Sequence, residues 1–182
     1  MNTQNRSNIK SITIAGLLTA LAIVIPLFMP KLPVPQPFSV TPASHLPVIL
    51  AMFVSPFTVV CTVIGSSIAF FITLGPIVAL RAFSHLLFAL VGCYLLKRKY
   101  NLFLVILATA LLHAFGEIIV VLAFSMFGMA EATAYFLWGV TGGITLLHHC
   151  FDFFLTMIVY KALQSVHNTV ALTPVNIKSL KG

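Results

Sequence analysis

Long apolar runs follow one another along nearly the whole chain, separated by prolines, glycines or short basic clusters. The first extends from about Ser11 to Met29, after Arg6 and Lys10, and meets Pro26 and Pro30. A short second run, Ala43 to Val54, turns at Ser55-Pro56 into a third from Thr58 to Leu74. The Gly75-Pro76 break opens a fourth that closes at Lys97-Arg98-Lys99, a fifth covers Leu102 to Phe124, and a sixth runs from about Ala134 to Leu163. Crossing a bilayer core takes about 20 apolar residues of helix, so the pattern predicts an all-α integral membrane protein with six transmembrane helices. The first run exceeds the roughly 7–15 apolar residues of a secretory signal and has no Ala-x-Ala site, so it reads as the first helix. Gly139, Gly142 and Gly143 are placed to bend the upper half of the sixth.

Composition narrows this further. Of 182 residues, 60% are hydrophobic and 7% charged, and the mean hydropathy is +1.10, which excludes a soluble domain. The reading is one membrane domain over residues 11–163 between an N-terminal tail, 1–10, and a C-terminal tail, 164–182, that is poor in large apolar residues. A net charge of +7 would suit nucleic acid, but the basic residues stand in short clusters beside apolar spans rather than along a continuous face. Six spans put Arg6, Lys10, Lys97, Arg98, Lys99, Lys161, Lys178 and Lys181 on the side of both termini, which the positive-inside rule makes cytoplasmic. Cys61, Cys93 and Cys150 are isolated in apolar spans and read as small core residues.

The polar residues inside the spans carry the candidate chemistry. A guanidinium at mid-helix costs roughly 2.5–3.5 kcal/mol, so Arg81 must face protein or water and a partner. His85 lies one turn deeper on the same face, while His113 and Glu117, four apart, descend from the outer end of the fifth helix. Trp138, Thr141 and Thr145 follow at helical spacing in the sixth, and His45 stands near the start of the second. Two readings stay open: an Arg81–Glu117 ion pair that only holds two helices together, or a ligand pocket. A pocket with these groups suits a small planar heteroaromatic acid or amide, its carboxylate on Arg81 and its ring stacked on Trp138 with Phe38 or Phe136. Five prolines in the thirteen residues Pro30–Pro42 make a stiff, non-helical stretch, either a lid over that pocket or a plain connector.

His148, His149 and Asp152 form a second, deeper set. One helix supplies all three, so helix-to-helix hydrogen bonding is expected rather than a metal, since His45, His85, His113 or Glu117 would have to complete a site from a distance. There is no phosphate-binding loop and no His-Glu-x-x-His, so no cofactor is expected in this chain, and a transporter of this kind would need a partner for energy or be passive. In the first helix, Ala15 with Thr19 and Gly16 with Ala20 form a stripe of small residues that permits close approach, either inside the protein or to a partner subunit.

These features together resemble the S components of energy-coupling factor (ECF) vitamin transporters. Within them, Ala43-Ser44-His45-Leu46-Pro47-Val48, Ala51-Met52-Phe53-Val54-Ser55-Pro56 and Leu80-Arg81-Ala82-Phe83-Ser84-His85 are similar to the niacin-specific branch, over about residues 8 to 165. The resemblance implies a six-helix bundle in a prokaryotic plasma membrane that captures a vitamin at the outer face. It also implies docking on a transmembrane scaffold subunit driven by two ATPases, and toppling to release the vitamin inside. The family's docking motif is Ala-x-x-x-Ala, from which both pairs here depart. The rival readings are an S component for another vitamin or a purine-like compound, an intramembrane metal-dependent hydrolase using His148, His149, Asp152 and Glu117, and an assembly protein without a ligand.

Overall fold

A computed structural model describes residues 3–31, 40–130 and 132–165. The helices are α1 (Thr3–Phe28), α2 (Leu46–Met52), α3 (Pro56–Leu74), α4 (Pro76–Lys97), α5 (Leu102–Ser125) and α6 (Thr145–Ser165), the last continuing a π-helical segment, Tyr135–Ile144. Among the described residues there is no strand. Five stretches are long and apolar enough to cross a membrane: Ile9–Phe28, Pro56–Leu74, Pro76–Lys97, Leu102–Ser125 and Tyr135–Ser165. Their outward side chains are large and apolar, among them Phe71, Leu107, Phe115 and Phe154, more than half exposed in three cases and nearly so in the fourth. Such a surface suits lipid and not water. The chain is a multi-pass membrane protein.

The second span, already short in the sequence at Ala43 to Val54, is shorter still in the structure. Its helix holds only Leu46–Met52, a rise of about 10 Å. Pro47 occupies the first turn, where its missing N–H is harmless, and disfavours helix in the residue before it. Ala43 is in the left-handed region, φ 63°, so the chain enters α2 through a turn. Almost the whole helix is buried, against α1, α3, α4 and α6. His45 at its start stacks edge-on to His85, 4.7 Å between ring centroids, and Met52 at its end lies against Gly92, where a Cβ would collide with it. α2 therefore runs beside the second half of α4, in the same direction.

Gly75 makes the reversal between α3 and α4. With φ 85°, a conformation that L side chains rarely adopt, it lets α4 start at Pro76 directly after α3 ends at Leu74. Arg81 then lies about 8 Å along α4. Ser55 caps α3 by accepting from the Thr58 N–H at 3.1 Å, and Asn101 caps α5 by accepting from the Phe103 N–H at 2.8 Å. Pairs of small residues set helix spacing. A Cβ on Gly65 of α3 would come within 2.6 Å of Thr19 Cγ2 on α1.

Apolar packing is divided. A large cluster around Val48–Phe53, Phe88, Phe153 and Tyr160 fills one end of the bundle. Smaller clusters around Val121, Phe136 and Val140, and around Phe70, Val78 and Ala82, fill the other.

Candidate functional site

Arg81 and Glu117 join α4 to α5. Arg81 Nη2 donates to Glu117 Oε2 at 2.7 Å, and Thr145 Oγ1 of α6 donates to the same oxygen at 2.7 Å. The other carboxylate oxygen, Oε1, lies 3.6 Å from His85 Nε2 and 3.4 Å from His113 Nε2. All five residues are buried, Arg81 at 3% exposure and Glu117 at 4%. The spacing of four between His113 and Glu117 places both on the α4-facing side of α5, so the sequence reading of a buried guanidinium beside a carboxylate matches the geometry.

Asp152 organises the other wall. It accepts from the Ala43 N–H at 3.0 Å and the His45 N–H at 2.9 Å, pairs with His45 Nδ1 at 2.9 Å, and lies 3.2 Å from His148 Nε2. One buried carboxylate thus pins the turn that leads into α2, including the left-handed Ala43. The expected separation between an outer set and a deeper His148–His149–Asp152 set is corrected here. His45 stacks against His85, His113 and His148 at centroid distances of 4.6–4.7 Å, and the two sets form one network. Because α2 begins partway along the bundle, the turn at residues 41–45 reaches down to Asp152.

Three imidazoles form a chain of contacts. Thr109 Oγ1, 2.7 Å from the Val105 carbonyl, lies 3.0 Å from His149 Nε2; His149 Nδ1 lies 3.0 Å from His113 Nδ1, and His113 Nε2 lies 3.0 Å from His85 Nε2. With the threonine proton on the Val105 carbonyl, the chain runs from His113 through His149 to Thr109 and leaves His113 Nε2 bare.

A small cavity opens at the junction, lined by Thr41, Ser44, His45, His85, Arg81, Glu117 and their neighbours, with Phe70, Val78 and Ala82 as an apolar wall. The centre of a water molecule can range over about 20 Å³ of it, room for about one water. Thr41 Oγ1 and His85 Nδ1, on two of the lining residues, are buried without a hydrogen-bond partner among the described residues.

Of the residues expected at the site, Arg81, His85, His113, Glu117 and His45 line this cavity. Thr141 is buried, its hydroxyl also without a partner among the described residues, but does not border the cavity. Trp138 is elsewhere, 71% exposed on the outer surface, beside Leu111 and Phe115. The reason is the π winding, which bonds residues five apart. Phe136 and Thr141 face inward, as do Val140 and Thr145; Thr141 and Thr145 share the inner face as expected, and Trp138 does not. Phe38, most of the proline-rich stretch and residues 166–182 lie outside the described residues. Thr41 and Ser44 were not anticipated. The Ser44-His45 pair before Pro47 was their one signal.

The small-residue stripe divides. Ala15 is buried and Thr19 packs on Gly65, whereas Gly16 and Ala20 lie on the exposed face.

No family model matches the chain. No solved structure matches it. It is similar to the niacin transporter NiaX of Lactococcus lactis subsp. cremoris (strain MG1363), 36% identical over 141 residues, which cover 72% of this chain and 63% of the relative. The match thus spans a little under two thirds of that relative's length, and it bears out the resemblance drawn from residues 43–56 and 80–85.

Proposed function

We propose that this chain is the substrate-binding S component of an ECF-type importer in a prokaryotic plasma membrane, a binding subunit and not an enzyme, and that it captures niacin as the acid or the amide. The observation that carries the reading is the cavity at the Arg81–Glu117 pair, with the buried Thr41 hydroxyl and His85 Nδ1 lacking partners on two of its walls. An ion pair that only clamped helices would not need further polar groups left unsatisfied in an apolar wall, because each costs about 1–3 kcal/mol. A bound heteroaromatic acid or amide would satisfy them, and a carboxylate would share Arg81 with Glu117. The similarity to a niacin transporter supports the same ligand.

The cavity is smaller than such a ring, so capture requires a wall to yield. Residues 41–45 are the wall not built on a long helix. Six crossings with both termini cytoplasmic remain the reading, with α2 making the inner part of the second crossing. Its support is that α2 runs parallel to the inner half of α4. ATP hydrolysis belongs to two partner ATPases acting through a transmembrane scaffold.

The test separates a clamp from a binding site. Removing Arg81 alone strands a buried carboxylate at about 3–5 kcal/mol, whereas replacing both members by neutral groups of similar size is often tolerated. The Arg81→Met, Glu117→Gln double variant is expected to retain its thermal stability in detergent and to lose nicotinate binding by at least about tenfold, the loss of one charge-assisted contact. Wild-type-like affinity in that variant, or no binding of nicotinate or nicotinamide by the native chain, would refute the proposal.

A further inference from the structure

The three donor atoms His85 Nε2, His113 Nε2 and Glu117 Oε1 are separated by 3.0, 3.6 and 3.4 Å. Ligands of a tetrahedral zinc ion, bonded at about 2.0–2.1 Å, stand about 3.3 Å from one another. His45 adds a fourth group, for a ring nitrogen of each of His45, His85 and His113 lies within 4.8 Å of the others. We propose that this cluster is a binding site for one divalent transition-metal ion of the zinc class, held by His85, His113 and Glu117 with His45 beside them.

The surroundings are those of a built metal site. A ligating imidazole normally donates its second N–H to a fixed acceptor. His113 Nδ1 has such a neighbour in His149 Nδ1 at 3.0 Å, and His149 Nε2 lies 3.0 Å from Thr109 Oγ1; with the threonine proton on the Val105 carbonyl, this chain leaves His113 Nε2 bare for an ion. His45 Nδ1 is engaged by Asp152, which frees its other nitrogen. Glu117 Oε2 is held by Arg81 and Thr145, leaving Oε1 toward the imidazoles. An ion on His85 Nε2 would put the proton of that ring on Nδ1, giving the cavity a donor where the described residues supply no partner. The cavity bounded by these residues has the size of an ion or a water and not of an aromatic ring.

The experiment uses the full chain, purified in detergent without a polyhistidine tag, stripped with a chelator and titrated with Co2+. Retention of about one cobalt per chain through gel filtration is expected, with the strong visible bands of a four-coordinate nitrogen–oxygen site, displaced by Zn2+. His113→Gln should abolish the bands. Thr109→Val should weaken binding roughly 10–100-fold by releasing the tautomer of His149, and Thr109→Ser should restore it. Should His113→Gln fail to fold, the threonine pair and the native spectrum decide. No retained cobalt, sulfur-to-cobalt charge-transfer bands from the cysteines, or equal affinity in Thr109→Val would overturn the site. A chain that binds nicotinate but no cobalt would sink this inference alone and leave the vitamin-binding role standing.

Discussion

Asp152 holds His45 at two points, its Oδ2 accepting from the backbone N–H and from ring Nδ1, each at 2.9 Å. The contact ties α6 to the turn that precedes α2, and it orients an imidazole at the cavity.

Asp152→Asn tests that arrangement. An amide keeps one acceptor oxygen but turns the other into a donor, facing N–H groups that also donate. With two or more charge-assisted bonds lost in a buried site, the expected destabilisation is about 3 kcal/mol. A clearly lowered thermal-unfolding midpoint in detergent, together with weakened nicotinate binding, is the predicted outcome. An unchanged midpoint would show that the turn is held by other contacts.

Ala43 donates its N–H to the other oxygen of Asp152 while in the left-handed region, φ 63°. For an L residue this conformation costs about 1–2 kcal/mol, which glycine avoids at a smaller entropic loss. Ala43→Gly should therefore stabilise the protein by about 0.5–1 kcal/mol, and Ala43→Val should destabilise it, because branching at Cβ tightens the clash. Thermal unfolding of the two variants, side by side, gives opposite signs if the turn is as described.

The parts legible in the sequence were those governed by one helix at a time. Arg81 and His85, and His113 and Glu117, are spaced by four on regular helices, so their shared faces followed from 3.6 residues per turn. The Arg81–Glu117 pair was open to prediction because a buried charge requires a partner. Two features were hidden. The π segment changes the winding from residue 135 to 144, which turns Trp138 outward while Thr141 and Thr145 stay inside. The shortness of α2 lets residues 41–45 reach Asp152; the short run Ala43 to Val54 announced a short helix, but apolar periodicity does not say where in it the helix begins.

Trp138 supplies a direct check on that correction. At 71% exposure it borders Leu111 and Phe115, away from the cavity. Trp138→Ala should change nicotinate affinity by less than about twofold, under 0.5 kcal/mol. Phe70→Ala, which removes an apolar wall of the cavity itself, should weaken binding more. Equal losses in the two would return the tryptophan to the site.

The first helix offers two small-residue pairs with different duties. Thr19 meets Gly65 so closely that a Cβ on Gly65 would come within 2.6 Å of its methyl carbon, a contact internal to the chain. Gly65→Val should force α1 from α3 and cost about 1–3 kcal/mol, the usual penalty of overpacking. Gly16 has nothing within 4 Å of where a Cβ would stand, and Ala20 shares its exposed face. Gly16→Leu should leave the isolated chain's stability and nicotinate binding within measurement error, while lowering co-purification with a scaffold subunit and uptake into cells, if this smooth face is where that subunit sits. Full uptake by Gly16→Leu, Ala20→Leu would place the docking face on another helix.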